Sequence, residues 1–262
     1  MKIKHLLCFI ALCLFFTPGK AQQLSVMTLR NGATVYIWED KSKPDVFGMI
    51  AFKVGSVDDP EQYTGLAHYL EHVMFKGTQT IDALDWEKEK PIYEKIIAKY
   101  DERAALSDPA AREAVDKEIN DLTREAAQYA AGNEFSLLVD HMGGQGLNAS
   151  TGYDQTEYHN SFPPSQLEKW LEIYSERLID PVFRGFQTEL EAVYEEYNMY
   201  NDDRGSRMRE FIYEQAFGDH PYARPIIGLP EHLKNPQLSK LIDFYNTCLL
   251  YTSDAADDLI GV

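Results

Sequence analysis

The sequence predicts an α+β fold: a mixed or antiparallel sheet packed against helices, with an inserted helical hairpin. Three observations carry that expectation. Short apolar-polar alternations recur between stretches of helical period. An Asn31-Gly32 pair, the strongest short-range hairpin signal, separates two of the alternating runs. A block rich in Ala, Glu, Lys and Arg, residues 83–131, reads as two helices interrupted at Pro109.

The elements follow in order. "SVMTLRNGATVYIWED" reads as strand, turn, strand, and "DVFGMIAFKVGSV" as a third strand apolar enough to be central. Pro60 and Gly65 mark the loop before a helix that begins in "GLAHYLEHVMFKGT", with Gly77 as its stop. The charged hairpin at 83–131 is expected to project from the domain with a solvated surface. "FSLLVDHMGG" is a helix ended by Gly143 and Gly144. "LNASTGYDQTEYHNSFP" alternates and reads as a strand. "PPSQLEKWLEIYSERLIDP" opens with a Ser165–Glu168 capping box and stops before Pro181. "TELEAVYEEYNMYNDDRGSRMREFIYEQAF" reads as one long helix with a second capping box, Thr188–Glu191.

At 262 residues the chain suffices for one large domain or two small ones, and its apolar and aromatic content can fill a sizeable core. A net charge of −17 disfavours nucleic acid and anionic membrane as main partners. "MKIKH" followed by "LLCFIALCLFF" and "TPGKAQQ" reads as a signal peptide, residues 1–21. The expected location is therefore outside the cytoplasm, periplasmic or secreted in a bacterium, with no membrane span once the signal is removed. Cys8 and Cys13 leave with that segment, and Cys248 lies in the tail, so metal chemistry in the mature domain must use nitrogen and oxygen ligands.

The chemistry concentrates on the helix at 65–78. His68 and His72 are four apart and Glu71 lies between them, so one helical face carries two imidazoles and a carboxylate among Leu66, Leu70, Val73 and Phe75. Burying that set is costly unless something satisfies it. Two imidazoles at this spacing supply two ligands of a catalytic zinc site, and the carboxylate beside them can act as general base. H-x-x-E-H is the inverted form of the H-E-x-x-H zinc motif. A third ligand is needed, and the acidic helix near residue 190 is the obvious donor. Glu189 and Glu196 are seven apart and share a face with Val193, whereas Glu191 and Glu195 point elsewhere; spacing alone does not choose among these glutamates.

The stretches "LRNGATVYI", "GSVDDPEQYTGLAHYLEHVMFKGT", "GLNASTGYDQTEYH", "ELEAVYEEYNM" and "HPYARPIIG" resemble the pitrilysin, insulin-degrading enzyme and mitochondrial processing peptidase family of zinc peptidases, over nearly all of residues 24–247. The resemblance implies a zinc-dependent endopeptidase acting on peptides or unfolded polypeptides. His68 and His72 match its metal histidines, Glu71 its general base and Glu196 its distal metal ligand. Glu189 matches a glutamate that supports the site from outside the ligand set. Asn148 and Ala149 match an edge-strand pair that holds the substrate backbone, a role suited to an extended peptide adding itself to a sheet edge. Lys76 has no assigned part and reads as an ordinary surface residue.

The resemblance also implies a second homologous domain or subunit, which in the family completes the cavity with an arginine and a tyrosine. The mature domain is expected to run from 22 to 247 with its C-terminal part missing. "CLLYTSDAADDLIGV", residues 248–262, leaves the family pattern, resembles translated sequencing-adapter DNA and is expected to be a non-native tail. A fragment of this kind is expected to be inactive alone. The alternative reading is a non-catalytic peptide-binding or structural subunit of the same family; metal binding without turnover is a third.

Overall fold

A computed structural model describes residues 24–249. The expected signal peptide lies outside the described residues, as does the tail beyond Leu249. β1 (Leu24–Thr28) and β2 (Thr34–Trp38) form the antiparallel hairpin around Asn31–Gly32, where Gly32 takes the positive φ of 81° that the turn needs. β3 (Val46–Phe52) belongs to a separate three-stranded antiparallel sheet with β4 (Gln145–Thr151) and β5 (Thr156–Phe162), in the order β3-β5-β4.

Two expectations about this sheet need correction. β3 is not the central strand; β5 is, paired on both sides, while β3 leaves Phe47 and Met49 exposed. The alternating run at 147–163 is two strands rather than one. Its Gly152–Gln155 stretch turns the chain, with Gly152 N–H donating to the Gln155 carbonyl at 2.7 Å. β4 is an edge strand among the described residues, and its register shifts between Gln145 and Asn148 before Asn148 pairs with His159 and Ala149 with Tyr158.

The helices cover this sheet and each other. α1 (Leu66–Val73) packs its Ala67, Tyr69, Leu70 and Val73 into the core. α2 (Trp86–Ala105) and α3 (Pro109–Ala126) form the predicted hairpin, with Pro109 starting the second helix rather than breaking one. The hairpin does not project freely: Ile92, Ile96, Tyr100, Val115 and Ile119 are buried in the common core, and only its other faces are solvated. α4 (Glu134–His141) ends before Gly143, which takes a φ of 80°. α5 (Leu167–Ile179) is pinned to β5 by Asn160, whose buried Oδ1 accepts from Trp170 Nε1 and the Tyr174 hydroxyl, both at 2.7 Å.

The long acidic helix is two helices, α6 (Phe186–Asp202) and α7 (Arg204–Phe217). Asp203 takes an extended conformation between them, and its carboxylate accepts from Ser206 N–H to cap α7. Neither expected capping box forms. α5 follows a short helical turn with no side-chain cap, and α6 begins two residues before Thr188 behind the left-handed Gly185. The chain continues through α8 (Pro230–Leu233) and α9 (Leu238–Phe244) to a last turn that ends at Leu249. None of the described helices is long and apolar enough to cross a membrane.

Candidate metal centre

α1 is placed by its N-terminus. Gly65 caps it at φ 87°, and a Cβ there would lie 2.5 Å from the Ile227 carbonyl, so only glycine fits. The Asp59 carboxylate accepts from Gly65 N–H at 2.7 Å and Ala67 N–H at 2.9 Å, answering two of the donors that a helix start leaves open. The side of α1 that faces α6 then carries His68 and His72, whose rings sit 4.9 Å apart, nearly edge to face.

α6 brings the third donor. Val193 is wholly buried between its two glutamates, and Glu191 and Glu195 are exposed. Glu196 Oε2 lies 3.5 Å from His68 Nε2 and 3.5 Å from His72 Nε2. One ligand atom from each of His68, His72 and Glu196 falls within 4.8 Å of the others. Ligand arms of about 2.0–2.1 Å in a tetrahedron set neighbouring donor atoms roughly 3.3–3.4 Å apart, so two edges of the set already match a bound zinc.

The surroundings prepare these donors. His72 Nδ1 faces Glu189 Oε2 at 3.4 Å, which leaves Nε2 turned to Glu196. Glu189 is held in turn by Lys76 Nζ at 2.5 Å, so Lys76 is part of the site's framework and not an ordinary surface residue. Burial depresses His68 to about 4 against the pull of Glu196, so its imidazole is neutral. Burial also opposes a charge on His72, but the Glu189 and Glu196 carboxylates outweigh it and hold His72 up at about 9. His72 keeps Glu196 and Glu189 below the usual carboxylate range, with further help to Glu196 from the Tyr200 hydroxyl and to Glu189 from Lys76.

Glu71 lies on the same helix, half-buried. Thr151, at the end of β4, donates to its Oε2 at 2.6 Å. Burial raises the Glu71 carboxyl above its ordinary value, which Thr151 and His72 partly offset. The structure thus gathers His68, Glu71, His72, Glu189 and Glu196 at one place, and ties β4 to it through Thr151. Asn148 and Ala149 lie further along that strand, on the sheet edge. Sequence reasoning missed Thr151, Lys76 and Tyr200. Lys76 and Tyr200 each stand four residues beyond a site residue, His72 and Glu196, a spacing that could have drawn attention to them.

The family model described as Insulinase (Peptidase family M16) matches residues 34–90 and 120–229, well over half of the chain. The chain belongs to this family. Two relatives share about a quarter of their aligned residues with it. An uncharacterized zinc protease of Rickettsia felis is 24% identical over 242 residues, covering 90% of this chain and 47% of that protein. One of Mycobacterium leprae is 25% identical over 194 residues, covering 73% of this chain and 32% of that protein. Among solved structures, a protease from Helicobacter pylori superposes with a TM-score of 0.65 at 21% identity, over 89% of this chain and 45% of that one. Pitrilysin superposes with a TM-score of 0.61 at 21% identity, over 92% of this chain and 23% of that one. Those two likenesses show the fold. The chain spans less than half the length of each of these four proteins.

Proposed function

We propose that this chain is most of the first, catalytic domain of an exported zinc-dependent endopeptidase. The observation that carries the reading is the convergence of His68, His72 and Glu196 within 4.8 Å, with Glu71 on the same helix. The names of the M16 relatives, zinc proteases, support the same assignment. His68, His72 and Glu196 would hold the ion, and Glu189 would fix the ring of His72. Zinc bound there supplies a Lewis acid for the scissile carbonyl and lowers the pKa of water to about 7.

Glu71 acts at its carboxylate: it takes a proton from the attacking water and later delivers it to the leaving amine. Its partial burial and the Thr151 bond suit a group that must change protonation during turnover. The edge of β4 at Asn148 and Ala149, unpaired by another strand among the described residues, offers main-chain groups to an extended peptide, so recognition reads shape and length more than sequence. A second homologous domain or subunit would close the cavity and supply further donors to the developing oxyanion. The complete donor set, with Glu71 present, favours the enzyme over a non-catalytic peptide-binding subunit.

The test is peptide hydrolysis by the full-length protein, followed with an internally quenched peptide, beside Glu71→Gln. The variant is expected to keep its zinc and lose roughly 10²–10⁴ in kcat. A Glu71→Gln enzyme as active as the parent would remove Glu71 from the mechanism.

A further inference from the structure

We propose that the inserted α2–α3 hairpin braces the metal centre and that Arg184 is the positioning residue joining the two, an inference that rests on the zinc-site reading above. The family match skips residues 91–119, which lie inside this hairpin. Yet it is fastened to the segment that leads into α6. The Tyr93 hydroxyl accepts from Phe183 N–H at 3.3 Å. Tyr100 packs edge-on against Phe186 at 4.7 Å.

Between these contacts lies a buried fork. Glu89 is 1% exposed, and its two oxygens accept from Arg184 Nε at 2.6 Å and Nη2 at 2.8 Å. The remaining nitrogen, Nη1, donates to the carbonyls of Thr78 at 2.8 Å and Lys76 at 3.2 Å. One guanidinium therefore grips the hairpin, the chain leaving α1 and the chain entering α6. Those two chain segments also pair directly, Val182 N–H donating to the Gly77 carbonyl at 3.1 Å.

From the Lys76 carbonyl the connection continues through the same residue's side chain. Lys76 Nζ holds Glu189 at 2.5 Å, and Glu189 holds His72 Nδ1 at 3.4 Å. The path from the hairpin to a ligand ring is Glu89, Arg184, Lys76, Glu189, His72. Arginine suits the node because its planar fork can serve a carboxylate and carbonyls together; lysine offers a single compact charge. Loss of either member leaves the other charge buried and unpaired.

The experiment loads the full chain with Co²⁺, whose visible absorption reports ligand geometry, and titrates metal into wild type, Arg184→Met and Ile119→Ala. Ile119, on α3 and 2% exposed, removes hairpin packing without touching the path. Arg184→Met is expected to weaken metal binding about tenfold or more and to shift the cobalt bands, as loss of a partner behind a metal ligand does. Ile119→Ala is expected to lower Tm while leaving affinity and spectrum unchanged. If Arg184→Met does not fold, Glu89→Gln keeps the packing, weakens the fork and decides by the same readouts. Unchanged affinity and spectrum in the arginine variant, or equal shifts in Ile119→Ala, would overturn the brace. A folded wild type that takes up no metal would overturn the zinc reading, and the brace with it.

Discussion

His68 and His72 show how neighbouring residues of one type are given different states. Burial keeps His68 neutral, at about 4, while Glu189 and Glu196 hold a proton on His72 up to about 9. A metal needs both rings neutral, so binding at pH 7 must expel a proton from His72. Affinity is then expected to climb as pH rises toward 9, roughly tenfold per pH unit, and to level off above it. Calorimetry in buffers of different ionisation enthalpy should read about one proton released per metal at pH 7; no release would contradict the assignment. The metal-free chain should behave oppositely. A raised histidine pKa contributes stability that is complete below about 6.5 and is lost as pH rises through about 9.

Much of this was legible at the residue scale. His68, Glu71 and His72 share a helical face by spacing alone, and Glu189 and Glu196 share another. The choice among the glutamates was not legible from spacing, because Val193 decides it by burying one side of α6. Lys76 was misread because its partner, Glu189, lies over a hundred residues away, and local pattern says nothing of tertiary ion pairs.

At the scale of elements, type was readable as far as Phe217, while the joins and the later helices α8 and α9 were not. The strand at 147–163 hid a hairpin because alternating residues lie on both sides of the Gly152–Gln155 turn. The helix from Thr188 to Phe217 hid a break because Asp203 serves Ser206 as a cap rather than continuing the helix. Both capping boxes were plausible as sequence, but Gly185 starts α6 earlier, bringing Phe186 into the core. The joint between α5 and the sheet yields a direct test. Asn160→Ala would strand the indole of Trp170 and the hydroxyl of Tyr174, each orphaned donor costing about 1–3 kcal/mol. Urea unfolding should show the midpoint falling with the slope unchanged. A loss below about 0.5 kcal/mol would mean that water satisfies both donors.

For the whole molecule, α1 and α6 pack together, β4 is tied to α1 through Thr151, and the hairpin meets the start of α6 at Phe186. Large apolar side chains are exposed on the strands, Tyr36 at 68%, Trp38 at 63% and Phe47 at 60%. A zinc held by His68, His72 and Glu196 would link α1 to α6, so its removal should be felt globally. Zinc at about a thousand times its Kd adds roughly 4 kcal/mol to stability. A chelator should lower Tm accordingly, and the difference should vanish in a variant that lacks a ligand. Equal Tm with and without chelator in wild type would mean that no ion bridges the two helices.

If His68, His72 and Glu196 form a zinc site, elemental analysis of the purified chain should find close to one zinc per wild-type molecule and essentially none in His72→Ala. A well-folded wild-type chain without zinc would contradict this assignment, showing that Glu196 does not close the site over the two histidines.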